Sequence, residues 1–241
     1  MSPYELWDGY MRSYDFLTDI DGYARNLNDI ALRANVERGS RVLDAGSGTG
    51  NLSILMKRAG ARVSSCDFCF SAIQKHREKD PDADLQQLSL EESLPYPDGH
   101  FDAVCCASVL FALSQVGCKR AVKEFFRVTR PGGKVVITVP AKEAGLFPLV
   151  KMHIASKVRK LGVLHGVWAA AIAVPALLRV LYYNKKLRRM PDWSGFHAFK
   201  EDELKYLTRE SGFQDIQCCR TYGNVFLLVA AEKPRKQKNA F

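Results

Sequence analysis

The chain has 241 residues, of which 47% are apolar and 25% charged, and its formal net charge is +9. That size and balance suit one large domain or two small ones and exclude a chain disordered throughout. The positive excess points to a nucleic acid, an anionic membrane surface or an acidic substrate, and its position along the chain decides among them.

Seven cysteines are present, an odd number in a chain that is not short. The opening MSPYELWDGYMRSYD is polar and aromatic rather than a secretory leader, so a disulfide framework is not expected. Cys66 and Cys69 form a lone C-x2-C without a second pair. Cys105–Cys106 and Cys218–Cys219 are adjacent pairs inside apolar runs. Reduced, buried thiols in a cytoplasmic protein and no metal centre are the expectation.

Residues 1–35 read as a helical cover, with Trp7, Tyr10, Tyr14, Leu17 and Ile20 at helix-like spacing. Arg41–Leu43 is a short strand running into Asp44-Ala45-Gly46-Ser47-Gly48-Thr49-Gly50. A helix follows over 51–59, stopped at Gly60. Strands are predicted at 61–66, 84–88, 101–107 and 134–139, with helices at 71–78 and 119–128. Arg130-Pro131-Gly132-Gly133 reads as a turn. A last helix at 201–211 closes at Gly212, and strands at 214–221 and 225–232 form an antiparallel hairpin.

Strands alternating with helices imply a mostly parallel sheet covered on both faces, an α/β Rossmann-like architecture. The core would comprise 36–140 and 196–232. Residues 141–195 break the rhythm as an apolar, basic helical insertion, and 233–241 form a disordered basic tail.

The glycine loop is the strongest local signal. A strand turning into a helix around a ligand needs positive φ and no Cβ in the way. The helix N-terminus then offers free N–H groups. Asp67 follows about twenty residues later, at the spacing of an acid that accepts ribose hydroxyls. A dinucleotide fingerprint would have its third glycine at Asn51, and this chain does not.

The run VLDAGSGTGNLS resembles motif I of class I S-adenosylmethionine (SAM)-dependent methyltransferases. Three further segments resemble that family in order: Leu94-Pro95-Tyr96-Pro97-Asp98-Gly99-His100-Phe101-Asp102-Ala103-Val104, then Arg127-Val128-Thr129-Arg130-Pro131-Gly132-Gly133, then Phe199–Leu204 through Glu210-Ser211-Gly212-Phe213. The match runs from about Tyr10 to Glu232 outside the insertion, and is nearest to the small-molecule group that includes ubiquinone and menaquinone methylases. The resemblance implies a seven-stranded sheet, SAM as cofactor and transfer of a methyl group to a small acceptor. By position it implies that Asp44, Gly46, Ser47 and Gly48 meet the methionine end, Asp67 the ribose, and Phe68, Glu91 and Glu92 the adenine. It places Ser108 near the methionine moiety and Tyr14 over the cofactor. Ser89-Leu90 stands where the family often has an aspartate.

A methyl donor already activated as a sulfonium leaves the enzyme mainly the work of alignment. An oxygen acceptor also needs a base. His153, His165 and His197 are the candidates, in or beside the insertion, whereas His76 and His100 read as surface residues. Many relatives have V-L-H-H after the fourth strand, but here Val109-Leu110-Phe111-Ala112 offers no base. No Asn or Asp precedes Pro-Pro-Tyr, which argues against a nucleobase or glutamine methylase.

Val163–Tyr183 is the most apolar stretch, interrupted by His165, Pro175 and Arg179 and flanked by basic residues. It reads as a lid over an apolar acceptor, as a segment resting on anionic lipid at the periphery of a membrane, or as a structural cap. The expected acceptor is a quinone precursor, isoprenoid, lipid or polyketide-like molecule, methylated on oxygen or carbon. A nucleic-acid methylase and a non-catalytic SAM binder are the alternatives. The mixing of basic and apolar residues speaks against a phosphate track.

Overall fold

In the computed structural model, the described residues are 21–141, 146–165, 198–221 and 224–235, with positions 167, 168, 171, 175, 178, 182, 185 and 186. Successive elements are α1 (Asp21–Arg33), β1 (Arg41–Ala45), α2 (Asn51–Arg58), β2 (Arg62–Asp67), α3 (Phe70–Lys79), β3 (Asp84–Gln87) and β4 (Phe101–Ala107). After a 3-10 turn at Leu110–Ala112 come α4 (Gln115–Val128), β5 (Thr129–Pro140), α5 (Leu146–Leu161), α6 (Glu201–Glu210), β6 (Gln214–Thr221) and β7 (Phe226–Glu232).

The seven strands lie in the order β3-β2-β1-β4-β5-β7-β6. All pairs are parallel except those made by β7. Alternate residues of each strand feed two separate cores. Leu43, Val104, Ile137 and Val229 pack with the buried faces of α4 and α6. Val42, Ala103, Cys105 and Leu228 pack with Leu27 and Ile30 of α1 and Leu52 and Met56 of α2. A strand sandwiched in this way must be apolar on both sides, which is why β4 reads Phe-Asp-Ala-Val-Cys-Cys-Ala without polar alternation. Helix α4 shows the complementary pattern. Cys118, Ala121, Val122, Phe125 and Val128 recur every three or four residues and are all buried. Burying one such Phe stabilises the fold by about 1.5–3 kcal/mol.

The Arg130–Gly133 turn is a correction. Those residues belong to β5, as a bulge: Phe101 pairs with Thr129 and Ala103 with Lys134, so extra β5 residues are pushed out of register. Gly132 at φ +74° permits the kink. The Arg130 guanidinium then grips Asp102 across it. The tail boundary also moves. Lys233 exchanges backbone hydrogen bonds with Gly132 and Gly133, and its ammonium group donates to the Phe126 carbonyl at 2.7 Å. All seven cysteines are free. Five of them are buried, and burial pushes the Cys66 and Cys118 thiols up to about 12.

Strand β1 is flanked by β2 on one side and β4 on the other, and the connections run away from it in opposite directions. The crevice above its C-terminal end is therefore the switch point where open α/β sheets place ligands. β5 ends at the same edge, and the bridge Ala141↔Phe199 marks where the insertion leaves and rejoins the core.

Candidate active site

The chain turns sharply off β1 because Gly46 and Ser47 both donate their N–H groups to the Cys66 carbonyl, at 2.8 and 2.9 Å. Gly46, Gly48 and Gly50 have φ of +79°, +54° and +82°. Two of these glycines are required by packing as well as by conformation. A Cβ at Gly46 would collide with Val109 Cγ2, and one at Gly50 would collide with His76 Cδ2. Gly48 differs: a Cβ there meets nothing within 4 Å. Its open side is room at the helix mouth, of the kind a closely approaching ligand uses.

Two buried carboxylates face this turn. Asp67 accepts from Gly48 N–H through Oδ2 at 2.8 Å and from Cys69 N–H through Oδ1 at 2.9 Å, which fixes its plane. Burial raises its pKa, and the backbone donors partly offset that. Asp44 accepts from the Ser53 hydroxyl at 2.5 Å through Oδ2. With its proton so placed, Ser53 must accept from Ser65, 2.9 Å away. Asp44 Oδ1 is buried with no partner. Loss of hydration, with the negative Asp67 nearby, pushes the Asp44 pKa up to about 7. An unpartnered carboxylate oxygen beside a second buried carboxylate and an open backbone cradle suits a ligand that carries positive charge and hydroxyl donors. Those are properties of SAM, so the residues present fit the cofactor that the resemblance implies.

The other expected site residues divide. Ser108 sits at the end of β4 with φ +58°, uncommon for a non-glycine, and its N–H donates to the Thr138 carbonyl at 2.8 Å. Phe68 is half-buried beside Asp67, and its carbonyl accepts from Gln87. Glu92 is exposed. Glu91 is half-buried, and its Oε1 accepts from the Ser114 N–H at 2.9 Å and hydroxyl at 3.0 Å, at the cap of α4. Tyr14 and His197 lie outside the described residues. His153 is in α5 but its side chain also lies outside them. His165 is exposed.

His76 overturns its expected surface position. It is fully buried, its Nδ1 lies 3.2 Å from the Ser47 hydroxyl, and its ring fills the space beneath Gly50. Burial lowers its pKa, which favours the uncharged ring. Ser53 and Ser65, which complete the Asp44 hydrogen bonds, carry no mark in the sequence. For His76 a signal exists, since Ala72, Ile73 and His76 share the one buried face of α3.

Residues 43–137 match the methyltransferase domain family. Over 247 aligned residues the chain is 26% identical to demethylmenaquinone methyltransferase of Paenarthrobacter aurescens, spanning 98% of this chain and 87% of that protein. It is 27% identical to the ubiquinone/menaquinone biosynthesis C-methyltransferase UbiE of Photorhabdus laumondii, spanning 93% and 87%. Among solved structures, phosphoethanolamine N-methyltransferase 2 of Haemonchus contortus, in complex with SAM, has the same fold. Its TM-score is 0.62 at 14% identity, covering 95% of this chain and 57% of that one.

Proposed function

We propose that this chain, a class I SAM-dependent methyltransferase, methylates a small apolar acceptor such as a quinone precursor, isoprenoid, lipid or polyketide-like molecule, on carbon or oxygen. The observation that carries the acceptor class is the origin of the insertion. It leaves the core where β5 ends, at the sheet edge that bears the glycine turn, and it is apolar and aromatic. A pocket walled by such a segment excludes water and rewards apolar surface. The quinone methylases that the chain resembles along nearly its whole length support the same class.

When bound, SAM supplies an activated methyl group on a positive sulfur. Asp67 would accept the ribose hydroxyls, its plane held by Gly48 and Cys69. Asp44, through its unpartnered oxygen, would take a cationic donor of the methionine end. Gly46, Ser47 and Gly48 would line that end with backbone, Ser108 would border it, and Phe68 would lie against the adenine with Glu91 and Glu92 at the rim. Tyr14 would close over the bound cofactor. For an oxygen acceptor, His153, His165 or His197 would remove the proton. By this division residues 36–140 and 196–232 hold the cofactor, 141–195 the acceptor, and 1–35 the cover.

Calorimetric titration with SAM tests the cofactor half, with Asp67→Ala expected to abolish binding. Transfer from labelled SAM to a panel of demethylated quinones, isoprenoid phenols, amines and nucleotides tests the acceptor half. Turnover confined to amines or nucleotides would refute it.

A further inference from the structure

On the site reading proposed above, we infer that the buried His76 ring donates its Nδ1 proton to Ser47 Oγ and so leaves the Ser47 hydroxyl proton for the carboxylate of bound SAM. His76 stands on α3, outside the glycine turn, yet it meets that turn twice. Nδ1 lies 3.2 Å from Ser47 Oγ, and the Cδ2–Nε2 edge faces Gly50 at the mouth of α2. A neutral imidazole carries one proton, so two arrangements exist. With the proton on Nε2, Nδ1 accepts from Ser47 and the hydroxyl is consumed inside the protein. With the proton on Nδ1, the ring is the donor and the hydroxyl proton stays unspent.

The surroundings of Nε2 select the second arrangement. Nε2 is buried without a partner. A Cβ on Gly50 would run into it, so the Gly50 hydrogen on that side points at the ring edge. A lone pair accepts such a weakly polar C–H, whereas an N–H would be pressed hydrogen against hydrogen. A buried donor without an acceptor is also the rarer defect. Burial foremost works against a second proton on the ring; the Lys79 and Lys57 ammonium groups add to that, and Asp80 opposes it. Ser47 Oγ has no other partner among the described residues. The methionine end of SAM carries one ammonium and one carboxylate. The unpartnered oxygen of Asp44 suits the first, and a hydroxyl donor fixed on the turn suits the second. His76 is thus a positioning residue, acting through Ser47.

Nitrogen NMR of the labelled full-length protein without ligand reads the tautomer directly, with His76→Asn assigning the signals. Nδ1 should show the shift of a protonated ring nitrogen and Nε2 that of a bare one; the reverse would overturn the inference whatever the protein binds. Calorimetry then tests the consequence. Ser47→Ala should bind SAM at least about tenfold more weakly, and decarboxylated SAM within about twofold of the wild type. An equal loss for both ligands, or none for either, would overturn the role of the hydroxyl. His76→Asn, which keeps an N–H near the place of Nδ1, should bind SAM within about threefold of the wild type. His76→Leu should lose about as much as Ser47→Ala, and the two together no more than either alone. Leu binding as tightly as the wild type, or Asn binding as weakly as Leu, would overturn the coupling. If the Leu variant does not fold, the tautomer and the Ser47→Ala comparison decide. Wild type that binds neither ligand would sink the cofactor site itself and the hydroxyl's role with it, while the tautomer stands or falls separately.

Discussion

Asp44 carries a free-energy cost that can be measured. Its pKa rises from 3.8 to about 7 because burial removes its hydration. Below about pH 4 the carboxyl is protonated in folded and unfolded chains alike and makes no difference. Between about pH 4 and 7 the folded chain holds a proton that the unfolded chain has lost, so stability falls as pH rises. Above that window the loss is constant. About three pH units at 1.36 kcal/mol each put the full cost on the order of 4 kcal/mol. Asp44→Asn keeps the shape and can still accept from Ser53, but it has nothing to ionise. Urea unfolding at pH 5 and pH 8 should therefore show the Asp44→Asn variant flatter with pH than the wild type, and more stable at pH 8 by a few kcal/mol. The same variant should lose SAM affinity. In the wild type that affinity should fall by about tenfold per pH unit below 7, because a cationic ligand selects the ionised form. A variant equally pH-dependent, or less stable at pH 8, would refute the reasoning.

Gly50→Ala forces a Cβ onto the His76 ring at a φ that disfavours any side chain. It should cost about 2–4 kcal/mol and lower the melting temperature. Glu91→Ala removes the partner of Ser114 at the start of α4. It should cost about 1 kcal/mol in denaturant, and the SAM dissociation constant measured alongside separates the two roles: a change within about twofold confines Glu91 to the cap, and a tenfold loss puts it on the adenine. Phe125→Ala, at the centre of the α4 face, should cost about 3–5 kcal/mol by the same unfolding assay.

The sheet is legible in the sequence because its signals are local. The glycine turn, the uniformly apolar Phe101–Ala107 and the final hairpin each announce themselves within a short window. What escapes depends on contacts between distant elements. Nothing near His76 reveals that Gly50 lacks a side chain where an imidazole needs room, and nothing near Glu91 reveals Ser114, 23 residues on. The Arg130–Gly133 stretch carries turn residues, but β4 beside it captures the backbone into the ladder and leaves the turn chemistry as a bulge. The acids Asp44 and Asp67 stand out by spacing. That Asp67 has partners on both oxygens while Asp44 leaves Oδ1 without one becomes visible only in three dimensions.

The Ala141↔Phe199 bridge joins the two ends of the insertion side by side at the rim of the sheet. To the core, everything between them is a closed loop. Doubling such a loop costs only about 0.6 kcal/mol in closure entropy. The segment is thus a cassette that can be lengthened, shortened or exchanged while the strands beneath keep their register. A chimera that carries another methylase's 142–198 equivalent on this core should still bind the cofactor, with the choice of acceptor travelling with the graft.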